Sequence, residues 1–156
     1  MRFIHTIIYI VLLLYTQVND LYAIELEGKI QCLAMNIYFE SDNSVIDAIA
    51  IAQTTVNRAR INKTNVCKEV YRRTKKVCQF SWVCNKRKVV KNKVKYFESI
   101  EVAKLVYVRN FGFEELSNAY FFHANYINPK WKYKRIGNVG SHVFYHRSSM
   151  DRTRVF

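Results

Sequence analysis

The stretch LEGKIQCLAMNIYFESDNS, residues 26–44, contains a helical pattern that stops near a carboxylate. Its apolar residues recur at the spacing of one helix face. They are Leu26, Ile30, Leu33, Ala34 and Ile37. Glu40 comes as this periodicity stops, and Asp42-Asn43 is typical of a turn. The pattern predicts a helix from Ile24 that ends near Glu40, which is then either a solvated helix end or an acid at the wall of a cleft.

A second helix is predicted directly after this turn. Ser44 and Asp47 have the spacing of an S-x-x-D capping pair, so Ser44 is expected to cap the helix. Polar Gln53 and Asn57 lie four residues apart on one face, where they are expected to bond a loop or to contact a ligand. The predicted buried stripe comprises Val45, Ile49, Ala52 and Val56.

The rest of the chain predicts an α+β fold that is mostly helical, with a small β or irregular region. A short helix is expected over residues 65–71, a compact aromatic loop or strand over 79–82, and a third long helix over about 96–110. Short strands are expected over residues 119–123 and 142–146. The loop that joins these strands holds Pro129, Trp131, Gly137 and Gly140.

The first 23 residues have the composition of an export signal. Arg2 supplies a positive start, residues 4–15 are almost entirely apolar, and Leu21-Tyr22-Ala23 is an imperfect small-residue cleavage site. The apolar run is shorter than the roughly 20 residues of a membrane span. Residues 1–23 are therefore expected to be a signal peptide or signal anchor, and residues 24–156 one domain. This predicts an exported protein, in the periplasm, cell wall or medium, whose membrane contact is limited to its N-terminal segment.

Export affects the interpretation of the four cysteines, because cysteines of an exported chain can be oxidised to disulfides. Cys32, Cys67, Cys78 and Cys84 form an even set for which disulfides are expected, with three pairings open. Zinc is the rival interpretation, but it favours paired C-x-x-C ligands, and the gap between Cys78 and Cys84 is too wide for that pattern. Free thiols are the third alternative.

The formal net charge is +13, and the excess is concentrated between Arg58 and Lys95, where Glu69 is the one acid. Such a segment suits a polyanion such as nucleic acid, anionic lipid or cell-wall polymer. Because an exported protein rarely meets nucleic acid, anionic wall polymers are the expected partner. The alternative is an ordinary solvated surface.

Few patterns in the chain can carry chemistry. The sequence has no glycine-rich phosphate loop and no G-x-S-x-G elbow. His142 and His146 lack the glutamate of an H-E-x-x-H motif, and oxidised cysteines would leave no catalytic thiol. No cofactor and no metal are expected. A carboxyl packed beside Tyr38 and Phe39 would be partly desolvated, which raises its pKa and suits Glu40 to general acid catalysis.

Six blocks occur in order along the chain: CLAMNIYFES, AIAIAQTTVNRAR, NVCKEVY, CQFSW, AYFFHANYINPKW and IGNVGSHVFYH. Together they resemble the motifs of the cell-wall hydrolase family typified by the spore cortex-lytic enzyme SleB and by CwlJ. Each block is a weak signal alone, but six in order from Cys32 to Tyr145 are specific. The resemblance implies a lysozyme-like catalytic domain that cleaves the glycan strands of peptidoglycan.

The resemblance also implies roles for individual residues. Glu40 matches the catalytic glutamate of the family motif. A second set matches the family's other blocks and is expected to bind substrate: Gln53, Asn57, Gln79, Phe80, Ser81, Trp82, His123, Trp131, His142 and Tyr145. Core packing is the alternative for the two aromatic residues Phe80 and Trp82. Structural hydrogen bonds are the alternative for Gln53, Asn57, His123 and His142.

The turn after the glutamate departs from the family pattern. The family continues as E-A-R-G-E, whereas this chain has Glu40-Ser41-Asp42-Asn43-Ser44. Asn43 is expected to take the place of the glycine at positive φ, which asparagine tolerates. Asp42 then remains as the nearby carboxylate.

A single strong carboxylate favours a lytic transglycosylase over a muramidase-type hydrolase. Hydrolysis with inversion or retention uses two carboxylates. A transglycosylase needs one acid, which protonates the leaving oxygen and then helps the muramyl 6-hydroxyl to close an anhydro ring. Asp42, Glu114, Glu115 or Asp151 near Glu40 would restore hydrolysis. The non-enzymatic alternative is an exported basic module that binds wall polymer or nucleic acid without cleaving it.

Overall fold

The computed structural model describes residues 2–75, 77–85 and 89–147, with side chains from residue 5 onward. In these ranges, helices occupy α1 Arg2–Glu40, α2 Val45–Ile61, α3 Val66–Val70, α4 Ser81–Cys84 and α5 Lys93–Tyr107. A 3₁₀ turn, Glu114–Leu116, leads into strands β1 Ala119–Ala124, β2 Arg135–Val139 and β3 His142–His146. The predicted α+β fold, mostly helical with a small sheet, is confirmed.

Helix α1 packs its C-terminal half into the core and leaves its N-terminal half exposed. Ile30, Leu33, Ala34 and Ile37 are buried, as their periodicity predicted. The helix runs without a break through Ala23, so the expected boundary between leader and domain falls inside it. Its apolar N-terminal part is long and apolar enough to cross a membrane, a property that signal sequences share.

Helix α2 begins where the capping pair predicted. The Ser44 hydroxyl accepts a hydrogen bond from the Asp47 backbone N–H over 3.5 Å. Ile49 and Ala52 are buried, but Val45 is 62% exposed, so its place in the buried stripe was predicted wrongly. The buried residues of α2 begin only at Asp47, because the first turn extends beyond the packed surface.

Asn36 links three helices, although it lies outside the predicted apolar stripe of α1. It is fully buried, donates from Nδ2 to Thr55 Oγ1 over 3.0 Å, and accepts at Oδ1 from Trp82 Nε1 over 3.0 Å. A buried amide needs such partners, because an unpaired polar group in the core is costly. The contacts therefore fix α1, α2 and α4 at the end of α1 that carries Glu40.

Two disulfides connect the helical part. Cys32 is bonded to Cys67, which joins α1 to α3, and Cys78 is bonded to Cys84. The expected disulfides are confirmed, and the pairing is one of the three that the sequence allowed. The second bridge closes a short loop in which Ser81–Cys84 form one helical turn, rather than the expected loop or strand.

The three strands form an antiparallel sheet in the order β1-β3-β2. The strands predicted near residues 119–123 and 142–146 are present, but the segment between them is not all loop, because β2 pairs with β3. Strand β2 was not predicted, because Gly137 and Asn138 are typical of loops. Helix α2 meets the sheet where Ala50 and Phe144 pack in a second apolar cluster.

The turn residues differ from the sequence-based expectation in two places. Among the described non-glycine residues, only Lys63 and Asn110 have positive φ, so the positive φ expected for Asn43 was wrong. Helix α5 also begins and ends earlier than predicted. Asn92 caps it by accepting from the Lys95 backbone N–H over 3.1 Å, and Asn110, at φ 53°, turns the chain after it.

Candidate active site

A cleft of about 380 Å³ opens where the end of α1, the start of α4 and the end of β1 meet. It combines apolar, polar and charged side chains from five separate stretches of the chain. The described residues that line it are Phe39, Glu40, Arg58, Gln79, Phe80, Ser81, Phe122, His123, Ala124, Tyr126, Ile127 and His142. The structure therefore brings together six of the residues predicted for the site: Glu40, Gln79, Phe80, Ser81, His123 and His142.

Glu40 is the last residue of α1, and its side chain is partly exposed at the cleft wall. Ser41 completes the last hydrogen bonds of the helix, donating to the Ile37 carbonyl from its backbone N–H over 2.9 Å and from its hydroxyl over 2.7 Å. Lys95 Nζ donates to the Ser41 carbonyl over 2.7 Å. Helix α5 thus holds the turn that immediately follows the acid.

His142 reaches the cleft from β3 and is held from behind by Asp47. Its Nδ1 lies 2.8 Å from Asp47 Oδ1, and Asp47 is fully buried. Asp47 also accepts from the backbone N–H groups of Ser141 and Asp42, each over 3.1 Å. From its sequence position, Asp47 was predicted only as a partner of the capping serine, and its contact with His142 was not predicted.

Asp42, the carboxylate nearest to Glu40 in sequence, accepts hydrogen bonds from Ser141 and Ser44. Its Oδ2 accepts from the Ser141 hydroxyl, and its Oδ1 accepts from the Ser44 backbone N–H over 2.6 Å. The Ser141 hydroxyl is the main cause that lowers the pKa of Asp42 from its ordinary value. Asp42 does not line the cleft with Glu40.

An aromatic surface adjoins the cleft at His123. The His123 Nε2 is 2.9 Å from the Tyr145 hydroxyl, and its ring lies 5.3 Å from that of Trp131. Trp131 is 41% exposed and packs against Tyr145 at 5.7 Å between centroids. Three residues predicted for substrate binding therefore lie side by side at the edge of the cleft.

Three other predicted residues lie away from the cleft lining. Trp82 is buried behind it, stacked on Phe39 at 4.8 Å and bonded to Asn36, so its alternative role in core packing applies. Gln53 exchanges hydrogen bonds of 2.8 Å with the backbone of Phe113. Asn57 donates to two backbone carbonyls, over 2.8 and 3.2 Å. Both amides bond helix α2 to a loop, and both line a different cavity, of about 290 Å³.

Arg58 lies in the cleft wall and was missed as a site residue. The sequence placed it in an exposed basic segment, but it is only 3% exposed, so that part of the expectation was wrong. Its Nε donates to Glu69 Oε1 over 3.0 Å. Burial lowers the pKa of the guanidinium. Four other members of that segment, Lys76, Lys86, Arg87 and Lys88, lie outside the described residues, as does Asp151.

In the described ranges, His, Cys, Asp and Glu side chains form no group of three that could hold a metal ion. Among the described residues, the cleft combines one carboxylic acid with one arginine, one amide, two histidines and several aromatic rings. This combination suits acid-catalysed cleavage of a polar polymer.

Comparison with known families identifies the family to which the chain belongs. Residues 42–145, more than half of the chain, match the sequence model of a family described as Cell Wall Hydrolase. The chain belongs to the cell wall hydrolase family. No curated protein and no solved structure matches it.

Membership of the cell wall hydrolase family makes the chain an enzyme that acts on peptidoglycan. The matched region contains Arg58, Gln79, His123 and His142 but begins two residues after Glu40. The family, the disulfides and the apolar N-terminal helix together indicate an exported protein.

Proposed function

We propose that this cell wall hydrolase cleaves the glycan strands of peptidoglycan with Glu40 as general acid and base. The observation that carries the proposal is the place of Glu40: it is the one carboxylate among the described residues that line the cleft. The end of α1 aims it, and Ile37 anchors that end in the core. General acid catalysis requires a carboxyl held within hydrogen-bond reach of the leaving oxygen.

The single carboxylate favours the lytic transglycosylase reaction over muramidase-type hydrolysis. Glu40 would protonate the glycosidic oxygen, and the C1–O bond would break toward an oxocarbenium ion. The Glu40 carboxylate would then take the proton of the muramyl 6-hydroxyl as that oxygen bonds to C1. Hydrolysis by inversion or retention would need a second carboxylate in the cleft. Asp42 and Asp47 are engaged behind it, and Glu114 lines the separate cavity.

The remaining cleft residues would bind the sugar chain. Gln79 and Ser81 offer hydrogen-bonding groups beside Glu40, and Phe80 offers an apolar wall. The aromatic surface of His123, Trp131 and Tyr145 would stack against sugar rings that extend beyond the cleft. Gln53 and Asn57 would then act indirectly, because their amides hold the loops that follow α5.

Mass spectrometry of purified peptidoglycan after digestion with the full chain tests the proposal. Anhydro-muramyl ends are expected. Reducing ends would instead establish a hydrolase and require a second carboxylate. Release of no fragments by a folded protein that still binds the wall would contradict catalysis and support the alternative of an exported binding module.

We also propose that the N-terminal segment directs export as a signal peptide or anchor, and that exposed basic residues attract anionic wall polymers. Within the described part of the basic segment, the exposed basic residues are Arg60, Lys63, Lys68, Arg73, Lys75, Lys91 and Lys93. Such attraction is screened over about 8–10 Å at physiological salt. Wall binding measured by cosedimentation should therefore weaken as salt rises, and binding that is indifferent to salt would leave this surface without a targeting role.

A further inference from the structure

Arg58 places a positive charge in the wall of the cleft that also holds Glu40. The side chain extends from the buried face of α2, and the residue is 3% exposed. Its guanidinium carbon lies 5.4 Å from the ring centroids of both Phe80 and Tyr120. A buried arginine stays charged despite its lowered pKa, because its ordinary pKa is so high.

The hydrogen bonds of Arg58 leave most of its donors unused. A guanidinium carries five N–H groups in a planar fork. The Nε of Arg58 donates to Glu69 Oε1 over 3.0 Å, and within the described chain neither terminal Nη nitrogen donates a hydrogen bond. Buried charged groups are normally paired on all sides, because an unsatisfied donor costs free energy.

Glu69 does not accept from the terminal nitrogens of Arg58, and its other oxygen already has two donors. Glu69 Oε2 accepts from Arg72 Nη2 over 2.6 Å and from Asn62 Nδ2 over 3.0 Å. Glu69 therefore fixes Arg58 through Nε alone. Held by this contact and by two aromatic rings, the fork is rigid before any ligand arrives, which favours binding.

We infer that Arg58 forms a carboxylate-binding subsite of the cleft and that its ligand is a carboxylate of the peptidoglycan substrate. Two terminal N–H groups of an arginine match the two oxygens of a carboxylate. The inference rests on the proposed function, since it deepens the choice of substrate at the same cleft. The carboxylate is either the lactyl group of a muramyl residue that lacks its stem peptide or a carboxylate within a stem peptide.

The test measures binding of glycan strands by the Glu40→Gln protein, which is not expected to consume them. Strands with stem peptides and strands stripped of them are each used before and after conversion of their carboxylates to methylamides. At about 0.5 M salt, where long-range charge is screened, the methylamides should bind about tenfold or more weakly, as expected for a charge-assisted hydrogen bond. Preference for carboxylates only on stripped strands identifies the lactyl group, and preference only on peptide-bearing strands identifies the stem peptide.

Two variants distinguish the effect of the Arg58 guanidinium on binding from the effect of the protein's overall charge. Arg58→Met, added to Glu40→Gln, should bind carboxylate and methylamide strands equally. Arg72→Met is the matched control: it removes the same charge from the same Glu69, but Arg72 does not line the cleft, so the preference should persist. If Arg58→Met does not fold, Arg58→Lys keeps the charge but loses the fork, and it should lose most of the preference.

Each outcome decides a separate question. Equal binding of carboxylate and methylamide strands by the parent protein, or equal loss of preference in Arg58→Met and Arg72→Met, overturns the subsite. Cleavage of both kinds of strand by wild-type protein with equal kcat/KM overturns it while leaving catalysis intact. A carboxylate preference that depends on Arg58, together with no fragments from wild-type protein, supports the subsite and rejects the catalytic proposal.

Discussion

Asp47 Oδ1 lies 2.8 Å from His142 Nδ1, and this contact joins the start of α2 to the cleft wall across 95 residues of sequence. Asp47 is fully buried and also accepts the backbone N–H groups of Asp42 and Ser141. A carboxylate in this position fixes the proton on Nδ1, so Nε2 is the ring nitrogen left for the cleft. One side chain thus orients the histidine and secures the turn that follows Glu40.

The substitution Asp47→Asn should therefore impair catalysis indirectly, through the orientation of His142 rather than through a contact with the substrate. An amide cannot accept all three hydrogen bonds, so His142 loses its orientation, and small misplacements of this kind can cost about 100-fold in rate. We expect a fall in kcat/KM of roughly 10- to 100-fold, measured by release of soluble fragments. Glu98→Gln, on the exposed face of α5, makes the same carboxyl-to-amide change away from the cleft; it is the control and should be neutral. Wild-type kinetics in Asp47→Asn would show that the contact serves folding alone.

Gly140 makes room for the same carboxylate. It has φ +55°, and a Cβ placed on it would lie 2.5 Å from the Asp47 Cβ and Oδ1 atoms. Gly140→Ala combines an unfavourable backbone conformation with this clash, so the free energy of unfolding should fall by about 1–3 kcal/mol. Gly137→Ala, in the neighbouring strand, meets nothing within 4 Å and should change it much less. Equal denaturant midpoints for the two variants would contradict the requirement for glycine at position 140.

The Ser141 hydroxyl predicts a pH dependence of stability through Asp42. Its hydrogen bond lowers the pKa of Asp42 below the ordinary 3.8. A carboxyl with a lower pKa in the folded state contributes stability above its unfolded pKa, and this contribution is lost as pH falls through the folded pKa. Ser141→Ala should therefore destabilise the protein by less than about 1 kcal/mol at neutral pH, because solvent screens the exposed Asp42. Urea titrations should show the difference shrinking below about pH 4. A difference that grows on acidification would reverse the assigned sign.

The elements that the sequence predicted well are those with a local cause. The apolar stripe from Ile30 to Ile37 has a helical period, and Ser44 has its capping partner three residues away. Both features could therefore be predicted from a short stretch of sequence. Strand β2 was missed because its stability comes from backbone pairing with β3, while Gly137 and Asn138 suggest a loop. The start of α5 was missed because Asn92 caps a turn that precedes the apolar period.

The residues of the candidate site also divide into those that the sequence predicted and those that depend on contacts in the folded chain. The ordered blocks placed Glu40, Gln79 and His123 in one site, and the structure has them around one cleft. Asp47 and Arg58 were missed because each has an ordinary local explanation, Asp47 as a capping partner and Arg58 as a member of the basic segment. Their contacts depend on partners that only the folded chain brings near. For Asp47, the sequence did offer one signal: it is the one acid within the apolar run VIDAIAIA, residues 45–52, and a carboxylate buried in such a run requires hydrogen-bond donors.

The substitution Glu40→Gln tests the proposed acid most directly. Glutamine keeps the shape of the side chain at the end of α1 but cannot donate a proton to the leaving oxygen. We expect normal folding, retained glycan binding and a fall in cleavage of at least about 100-fold, the lower range for a general acid. Cleavage is measured as soluble fragments, and binding as cosedimentation with intact peptidoglycan.

Asp42→Asn is the matched control, because it makes the same carboxyl-to-amide change two residues away on a side chain that does not line the cleft. It should cost far less activity than Glu40→Gln if a single carboxylate suffices. Near-normal cleavage by folded Glu40→Gln protein would falsify the role of Glu40. A comparable loss in Asp42→Asn would instead favour a two-carboxylate hydrolase, and the products should then carry reducing ends in place of anhydro-muramyl ends.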